Sequence, residues 1–312
     1  MYFPYLRCKQ FELLALRELA PKLGQSQKIS PVLEPINQST TALAKALEIL
    51  MKENVNFTLI LNPIYGDFVA DPSALINMVN SSLSQYLNCQ LGIIINQFTN
   101  LSEIDSLLAK IDFKRPLSLI HDSRPNDLDK LTKWAMLQTI KYNLYSEGIP
   151  ARRYRGIITS GSKILLEDKF ISQTKNANYS EREELFSDDH LYFKDDGYAG
   201  FGDYLTIGKE YSEAGFAPYA VAIHLTYIRT DRNNELWIKH FVSDSNETRD
   251  DVAGKFGEAL EKLMKFIDHK KIITDATNEF REHYRLEHYP GLGSLKKLSI
   301  KNHLELLIQL LH

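Results

Sequence analysis

Short apolar runs alternate with segments of helical periodicity through the first half of the chain. The first run, residues 2–6, predicts a strand, and residues 10–23 predict a helix because their apolar positions recur every three or four residues. The alternation continues to about residue 145. It predicts further strands at residues 30–36, 57–61, 91–95, 117–120 and 140–145, and further helices at residues 41–54, 72–87, 102–110 and 126–137.

Alternating strands and helices are typical of a parallel sheet covered by helices. The run LGIII at residues 91–95 is almost wholly apolar, as expected of a strand buried on both faces. Repeats of about 25 residues favour a (β/α)8 barrel over a doubly wound sheet, although periodicity alone does not separate the two. The segment YLRCKQFE after the first strand contains no glycine, so the dinucleotide-binding turn is missing. We therefore predict an α/β fold of the TIM-barrel type.

The pattern changes after Pro150. Residues 156–160 predict a seventh strand, and residues 163–167 predict a partner that pairs back on it through the Gly161-Ser162 turn. Residues 168–215 are rich in polar clusters and predict an insertion that covers the barrel mouth. A hairpin is predicted from residues 219–229 and 235–242, and two closing helices from residues 249–269 and 299–311. The domain prediction is one barrel domain over residues 1–312.

Composition narrows the class of protein. Of the 312 residues, 44% are hydrophobic and 25% are charged, which is ample for a globular core. The net charge of −3 gives no strong signal of nucleic-acid binding. The two cysteines, Cys8 and Cys89, are too few for a disulfide framework and lack zinc-site spacing. No stretch predicts a leader peptide or a membrane span, so we expect a cytoplasmic protein without a membrane partner.

Several short motifs resemble one known family. The opening YFPYLRCKQFELLALREL followed by ISPVLEPI, the later GFGDYLTIG, the pair AVAIHLTYI and ELWIKHFVS, and the ending KLSIKNHLELL are similar to segments of the bacterial and phage beta-protein family. The family is defined by sequence, and the resemblance implies no particular reaction. It implies an association with mobile elements and host–phage conflict.

Polar residues follow the predicted strands, where a barrel has its functional face. Because parallel strands end on the same rim, we expect these side chains to converge. The candidate catalytic residues are Lys9, Glu34 and Asp122, joined by Asp203 from the glycine-flanked segment GFGDY. The candidate substrate-binding residues are Arg7, Asn62, Asn96, Arg124 and Tyr204.

The sequence leaves the chemistry of these candidate residues open. Glu34, between Leu33 and Pro35, is equally a general base, a metal ligand or a rim carboxylate paired with Arg7 or Lys9. A magnesium or manganese ion would suit His121 and Asp122 with Glu34 and Asp203, although HDSR is also a capped turn. A pyridoxal phosphate on Lys9 is disfavoured because no phosphate-binding glycine loop is evident. The metal and the cofactor are therefore not determined by the sequence.

Two functions from different classes fit these features. The first is an enzyme that acts on a phosphorylated or nucleotide-like small molecule at the mouth of the barrel. The second is a non-catalytic interaction protein, one component of a phage-defence or mobile-element system with a protein partner. It predicts an exposed aromatic patch formed by Tyr192, Phe193, Tyr198, Phe201 and Phe216.

Overall fold

The structure is a computed structural model that describes residues 1–146, 152–179, 183–211 and 217–311. The chain forms two compact units. The barrel unit comprises Met1–Glu167 and Tyr192–Asp203, and the second unit comprises Asp168–Leu191 and Tyr204–His312. The predicted insertion at residues 168–215 is thus shared between the two units. The single-domain assignment and the covering role of the insertion stay predictions.

The barrel unit contains eight parallel strands. They follow the chain in the order β1 to β7 and then β9, since β8 (Glu183–Ser187) belongs to the second unit. The barrel strands are β1 (Tyr5–Leu6), β2 (Val32–Leu33), β3 (Phe57–Ile60), β4 (Cys89–Ile95), β5 (Leu117–His121), β6 (Ile140–Tyr145), β7 (Ser162–Glu167) and β9 (Gly200–Asp203).

Helices connect these strands, as a parallel sheet requires. Asn100 and Asp127 cap two of them, because their side-chain oxygens accept hydrogen bonds from the backbone N–H groups of Ser102 and Lys130. The helices are α1 (Gln10–Ser26), α2 (Thr41–Lys52), α3 (Ser73–Leu83), α4 (Leu101–Leu108), α5 (Leu128–Met136) and α6 (Arg152–Ile157), and the short α7 (Asp189–Tyr192) precedes β9.

The sheet closes where β9 meets the first residues of the chain. The N–H of Phe3 donates to the carbonyl oxygen of Phe201 at 2.8 Å, and the N–H of Phe201 donates to that of Met1 at 3.1 Å. A Cβ atom on Gly202 would lie 2.2 Å from the carbonyl oxygen of Phe3, so closure requires glycine there. Eight parallel strands in a closed ring confirm the predicted (β/α)8 barrel.

Two predicted elements of this region are wrong. The strand predicted at residues 156–160 overlaps the end of α6 (Arg152–Ile157). The seventh strand is β7, which pairs parallel with β6 and is not the returning arm of a hairpin. The eighth strand is GFGD itself, so these residues complete the barrel, whereas the sequence suggested an insertion or a tight turn.

The second unit is built on a three-stranded antiparallel sheet. The predicted hairpin is confirmed by β10 (Ala222–Arg229) and β11 (Glu235–Val242), and β8 pairs with β11. Buried apolar residues pack this sheet against helices. These helices are α8 (Val252–Lys270), α9 (Asp275–Arg285) and α10 (Leu292–Leu310). The sequence did not predict α9, and α10 starts before the predicted residue 299.

No helix in the described part of the chain has the length and apolar character needed to cross a bilayer.

Candidate functional site

Contacts between strands that are not neighbours identify the inner face of the barrel. The ring of Phe3, just before β1, lies 4.9 Å from that of Tyr142 on β6. The hydroxyl oxygens of Thr58 on β3 and Ser118 on β5 are 3.0 Å apart. Side chains of such strands meet only when they point into the barrel.

Three predicted site residues continue this inner face at the carboxyl ends of the strands, which we call the mouth. Alternate residues of a strand share a face, so Phe3 and Tyr5 lead to Arg7, and Ser118 leads to Asp122. Val32 pairs with Thr58 and therefore points inward, as does Glu34 two residues later. The barrel thus brings Arg7, Glu34 and Asp122 to one end from three different strands.

The carboxyl group of Glu34 is buried at 1% exposure and well provided with partners. It accepts hydrogen bonds from the hydroxyl of Tyr5 at 2.9 Å and from the backbone N–H of Ile64 at 3.0 Å. The Nε atom of Arg7 is 3.8 Å from Glu34 Oε2. The guanidinium also lies over the ring of Tyr65, 5.4 Å from its centroid. The geometry is a buried ion pair fixed by neutral donors.

Burial raises the pKa of Glu34 above its usual value, because the low-dielectric interior disfavours a charged carboxylate. The hydrogen bonds from Ile64 and Tyr5 and the charge of Arg7 act in the opposite direction and lower this pKa. The negative charge of Asp122 raises it further, so Asp122 is close enough to interact with Glu34. A carboxyl group with a raised pKa can transfer protons nearer to neutral pH than an exposed one.

Glu12, which the sequence analysis did not single out, positions the residues after β1. Its buried carboxylate accepts hydrogen bonds from the backbone N–H of Arg7 at 2.7 Å and of Lys9 at 3.4 Å. Lys9 is the N-cap residue of α1, with a half-buried side chain. A Glu three residues after the N-cap is half of a capping-box pattern, but Lys9 stands where the pattern has Ser or Thr, so the sequence carried only a weak signal for Glu12.

Asn62 and Asn96 lie at the ends of β3 and β4 and use their side chains locally. Asn62 donates to the carbonyl oxygen of Ile94 at 2.9 Å and accepts from its N–H at 2.8 Å. The Oδ1 atom of Asn96 accepts from the N–H of Phe98 at 2.9 Å. Both asparagines line a cavity of about 450 Å³ together with Ile64, whose backbone N–H donates a hydrogen bond to Glu34. Space for a small ligand therefore lies at the ends of β3 and β4, although Arg7, Glu34 and Asp122 do not line it.

His121 lies on the outer face of the barrel sheet, opposite to Asp122. Its ring nitrogens are 2.7 Å from the hydroxyl of Tyr154 on α6 and 3.1 Å from Oδ1 of Asn143. Burial lowers the pKa of His121 to about 4, so the ring is neutral at neutral pH. His121 is a satisfied histidine between the sheet and a helix.

The structure does not bring the remaining candidates to Glu34. Asp203 shares a face of β9 with Phe201, opposite to Gly202, and accepts a hydrogen bond from the hydroxyl of Tyr2 at 2.6 Å. Arg124 is exposed. Tyr204 is buried and belongs to the second unit, so its proposed place at the mouth stays a prediction.

A metal site does not emerge from these placements. Within the described ranges, no group of three or more His, Cys, Asp or Glu residues could hold a metal ion. Of the four residues that the sequence suggested for magnesium or manganese, His121 and Asp203 face outward whereas Glu34 and Asp122 face inward.

No protein-family model and no curated protein matches the chain. Three solved structures resemble it distantly. They are an N-acetylneuraminate lyase from Mycoplasma synoviae (10% identity, 65% of this chain and 68% of the lyase, TM-score 0.40), a mutant O-GlcNAc hydrolase from Thermobaculum terrenum (9%, 65% and 54%, TM-score 0.40) and a spore cortex-lytic enzyme from Bacillus cereus (10%, 96% and 74%, TM-score 0.35). The alignment thus spans about half of the hydrolase.

The fold and the mouth together define a class. The chain is a (β/α)8 barrel protein, on the strength of its own strand order and closure. Its mouth holds a buried carboxyl–guanidinium pair with a second carboxylate nearby.

Proposed function

We propose that the protein is an enzyme that acts on a phosphorylated or nucleotide-like small molecule at the mouth of the barrel. The observation that carries this proposal is the buried Glu34 carboxyl group beside the buried Arg7 guanidinium. Burying such a pair is costly and contributes little to stability compared with apolar packing. A pair kept at the carboxyl end of barrel strands therefore favours a functional role.

Each group has a proposed role. Glu34 transfers a proton, since burial raises its pKa towards the range useful for acid–base chemistry. Arg7 binds the anionic group of the substrate through its guanidinium. Asp122 modulates the proton affinity of Glu34 or acts as the second carboxylate. Asn62 and Asn96, at the adjoining cavity, hold polar groups of the substrate.

The remaining candidate residues and the metal ion have weaker support and stay part of this proposal. Lys9 and Arg124 would supply positive charge at the rim, and a magnesium or manganese ion would enter with the substrate phosphate. The resemblance to the beta-protein family supports a role connected with mobile elements or phage defence, and we keep this role and the expected cytoplasmic location as part of the proposal.

The interaction-protein alternative loses its main support. Of the five aromatic residues expected to form an exposed patch, Phe193, Tyr198 and Phe201 are buried, and Phe216 lies outside the described residues. Tyr192 is 46% exposed. Because three of these rings are buried, we do not propose a docking surface there.

Thermal unfolding with a panel of nucleotides and sugar phosphates, with and without magnesium, tests the proposal. At least one compound should stabilise the protein, by about 2.7 kcal/mol at a hundredfold excess over its dissociation constant. For at least one of these compounds, Arg7→Met should abolish the stabilisation, whereas Lys45→Gln, an exposed change on α2, should keep it. The proposal is wrong if no phosphorylated compound stabilises the protein or if Arg7→Met responds like the wild type to every compound that does.

A further inference from the structure

The second unit contains a cavity of its own, of about 570 Å³. All the residues that line it belong to the second unit. The volume lies within the range of cavities that bind small molecules, about 300 to 1,000 Å³. Neither the barrel mouth nor its candidate residues contribute to this cavity. The residues that carry the argument are Phe170, Tyr179, Thr206, His224, Lys296 and Ser299.

Thr206 supplies a hydroxyl that lacks a partner. The residue is 6% exposed, and its Oγ1 atom makes no hydrogen bond with any of the residues that the structure describes. A buried hydroxyl without a partner is uncommon because its desolvation is not compensated. A ligand hydroxyl in the cavity would satisfy it.

His224 lines the cavity and forms a hydrogen-bonded pair with His240. The Nδ1 atoms of His224 and His240 are 2.8 Å apart, so one ring donates and the other accepts. Burial is the main cause that lowers their pKa values, to about 3 for His224 and about 4 for His240. Both rings are therefore uncharged at neutral pH, and the remaining ring nitrogen of His224 can serve a hydroxyl group as donor or acceptor, depending on the tautomer.

Aromatic rings lie against this histidine pair. The ring of Tyr179 is centred 4.5 Å from that of His224 and 4.8 Å from that of His240. The ring of Phe170 is 5.0 Å from that of His224. Flat rings beside small hydroxyl groups suit a compound that has an apolar ring face and a hydroxylated edge.

Lys296 on α10 supplies positive charge. It is half-buried, and among the described residues no carboxylate lies within ion-pair distance of its ammonium group. Glu210, which also lines the cavity, is exposed to water. A partly desolvated ammonium group favours a negatively charged ligand.

We propose that this cavity binds a small polyhydroxylated anion, either a sugar acid or a sugar phosphate. Its hydroxyl groups bond to Thr206 and Ser299, its ring packs against Tyr179 and Phe170, and its anionic group faces Lys296. The site is a second ligand site, additional to the proposed substrate site in the barrel.

Isothermal titration calorimetry with four probes tests the proposal. Glucuronate and glucose 6-phosphate carry both hydroxyls and charge, glucose carries only hydroxyls, and inorganic phosphate carries only charge. At least one of the first two should bind about tenfold more tightly than either glucose or phosphate, because charge and hydroxyl contacts add. The better of the two identifies the carboxylate or the phosphate as the natural anionic group.

Two variants assign the binding to the cavity. Thr206→Val keeps the shape and should weaken binding about fivefold, and Lys296→Gln should weaken it about tenfold. Lys265→Gln, an exposed lysine on α8, is the matched control and should leave the affinity unchanged. Circular dichroism confirms that each variant is folded.

The proposal is overturned if neither glucuronate nor glucose 6-phosphate binds more tightly than glucose, or if Thr206→Val and Lys296→Gln both bind like the wild type. Loss of binding in Arg7→Met together with intact binding in Thr206→Val would locate the ligand at the barrel mouth and would equally overturn it.

Discussion

The barrel mouth and the histidine pair of the second unit both contain buried titratable groups, but the partners of these groups differ. At the mouth, Glu34 keeps a cation, a hydroxyl and a backbone N–H as partners, all of which favour its ionised form. In the second unit, His224 and His240 have mainly each other and aromatic rings as neighbours, and burial suppresses their charge. The contrast shows that the partners supplied decide whether a buried group can carry charge.

The two regions therefore respond to pH in opposite directions. The pKa of Glu34 is raised in the folded state, so its contribution to stability is complete below about pH 4.5 and is lost as the pH rises through the folded pKa. The pKa values of the histidine pair are lowered from 6.5 to about 3 and about 4. Their contribution is complete above pH 6.5 and is lost as the pH falls towards 4.

Removing the cation at the mouth should have the largest effect. Arg7→Met leaves Glu34 buried without its ion-pair partner, which we expect to cost about 3 kcal/mol of unfolding free energy at about pH 8. Near pH 4 the carboxyl group is neutral, and the cost should fall to about 1 kcal/mol. Urea unfolding at both pH values measures the difference. An equal loss at the two values would mean that Glu34 is not charged beside Arg7.

Removing one histidine should reduce the acid sensitivity of the second unit. At about pH 5 each histidine kept neutral by burial costs about 2 kcal/mol relative to the unfolded chain. His240→Gln, which can still hydrogen-bond to His224, should remove about 2 kcal/mol of the stability lost between about pH 7.5 and pH 5. Urea unfolding of His269→Gln, an exposed histidine at the end of α8, provides the control. Identical pH dependence in both variants would contradict the neutral pair.

Removing a neutral donor at the mouth should have the smallest effect. Tyr5→Phe deletes the hydroxyl that donates to Glu34 at 2.9 Å and should cost about 1 kcal/mol at neutral pH. Because that bond favours the ionised form, the pKa of Glu34 should rise further in the variant. Urea unfolding gives the free energy. A variant as stable as the wild type would mean that the Tyr5 hydroxyl does not stabilise the Glu34 carboxylate.

Most of the barrel could be predicted because its strands and helices carry their own periodic signal. The first six strands overlap the predicted runs, and β4, which contains the almost wholly apolar run LGIII, is buried along its whole length. The second unit was harder, since α9 is DATNEFREHYR, a mostly polar segment whose only large buried apolar side chain is Phe280. Such a helix is stabilised by packing and gives little apolar pattern to detect.

The last barrel strand, β9, could not be predicted from local pattern. The segment GFGD has weak strand propensity, and it becomes β9 only because Gly200 and Gly202 permit close contact with the start of the chain. That requirement depends on closure, which links residues about 200 positions apart and leaves no short-range signal.

The sequence predicted that polar residues at all the strand ends would converge, whereas the structure brings only some of them together. Arg7, Glu34 and Asp122 were identified because they follow strand ends. Which strand-end residues face inward depends on register, and so the outward placement of His121 and Asp203 was not predictable. The contributions of Tyr5, Glu12 and the Ile64 N–H depend on tertiary contacts alone.

The most direct test is the carboxyl titration of Glu34, followed by carbon-13 NMR in the wild type and in Asp122→Asn. If strands β2 and β5 bring these two carboxyl groups to one mouth, Glu34 titrates above its ordinary value of 4.5, and Asp122→Asn lowers its pKa. A Glu34 that titrates at or below 4.5, or one whose titration is unchanged in Asp122→Asn, would contradict the convergence on which the proposed enzyme depends.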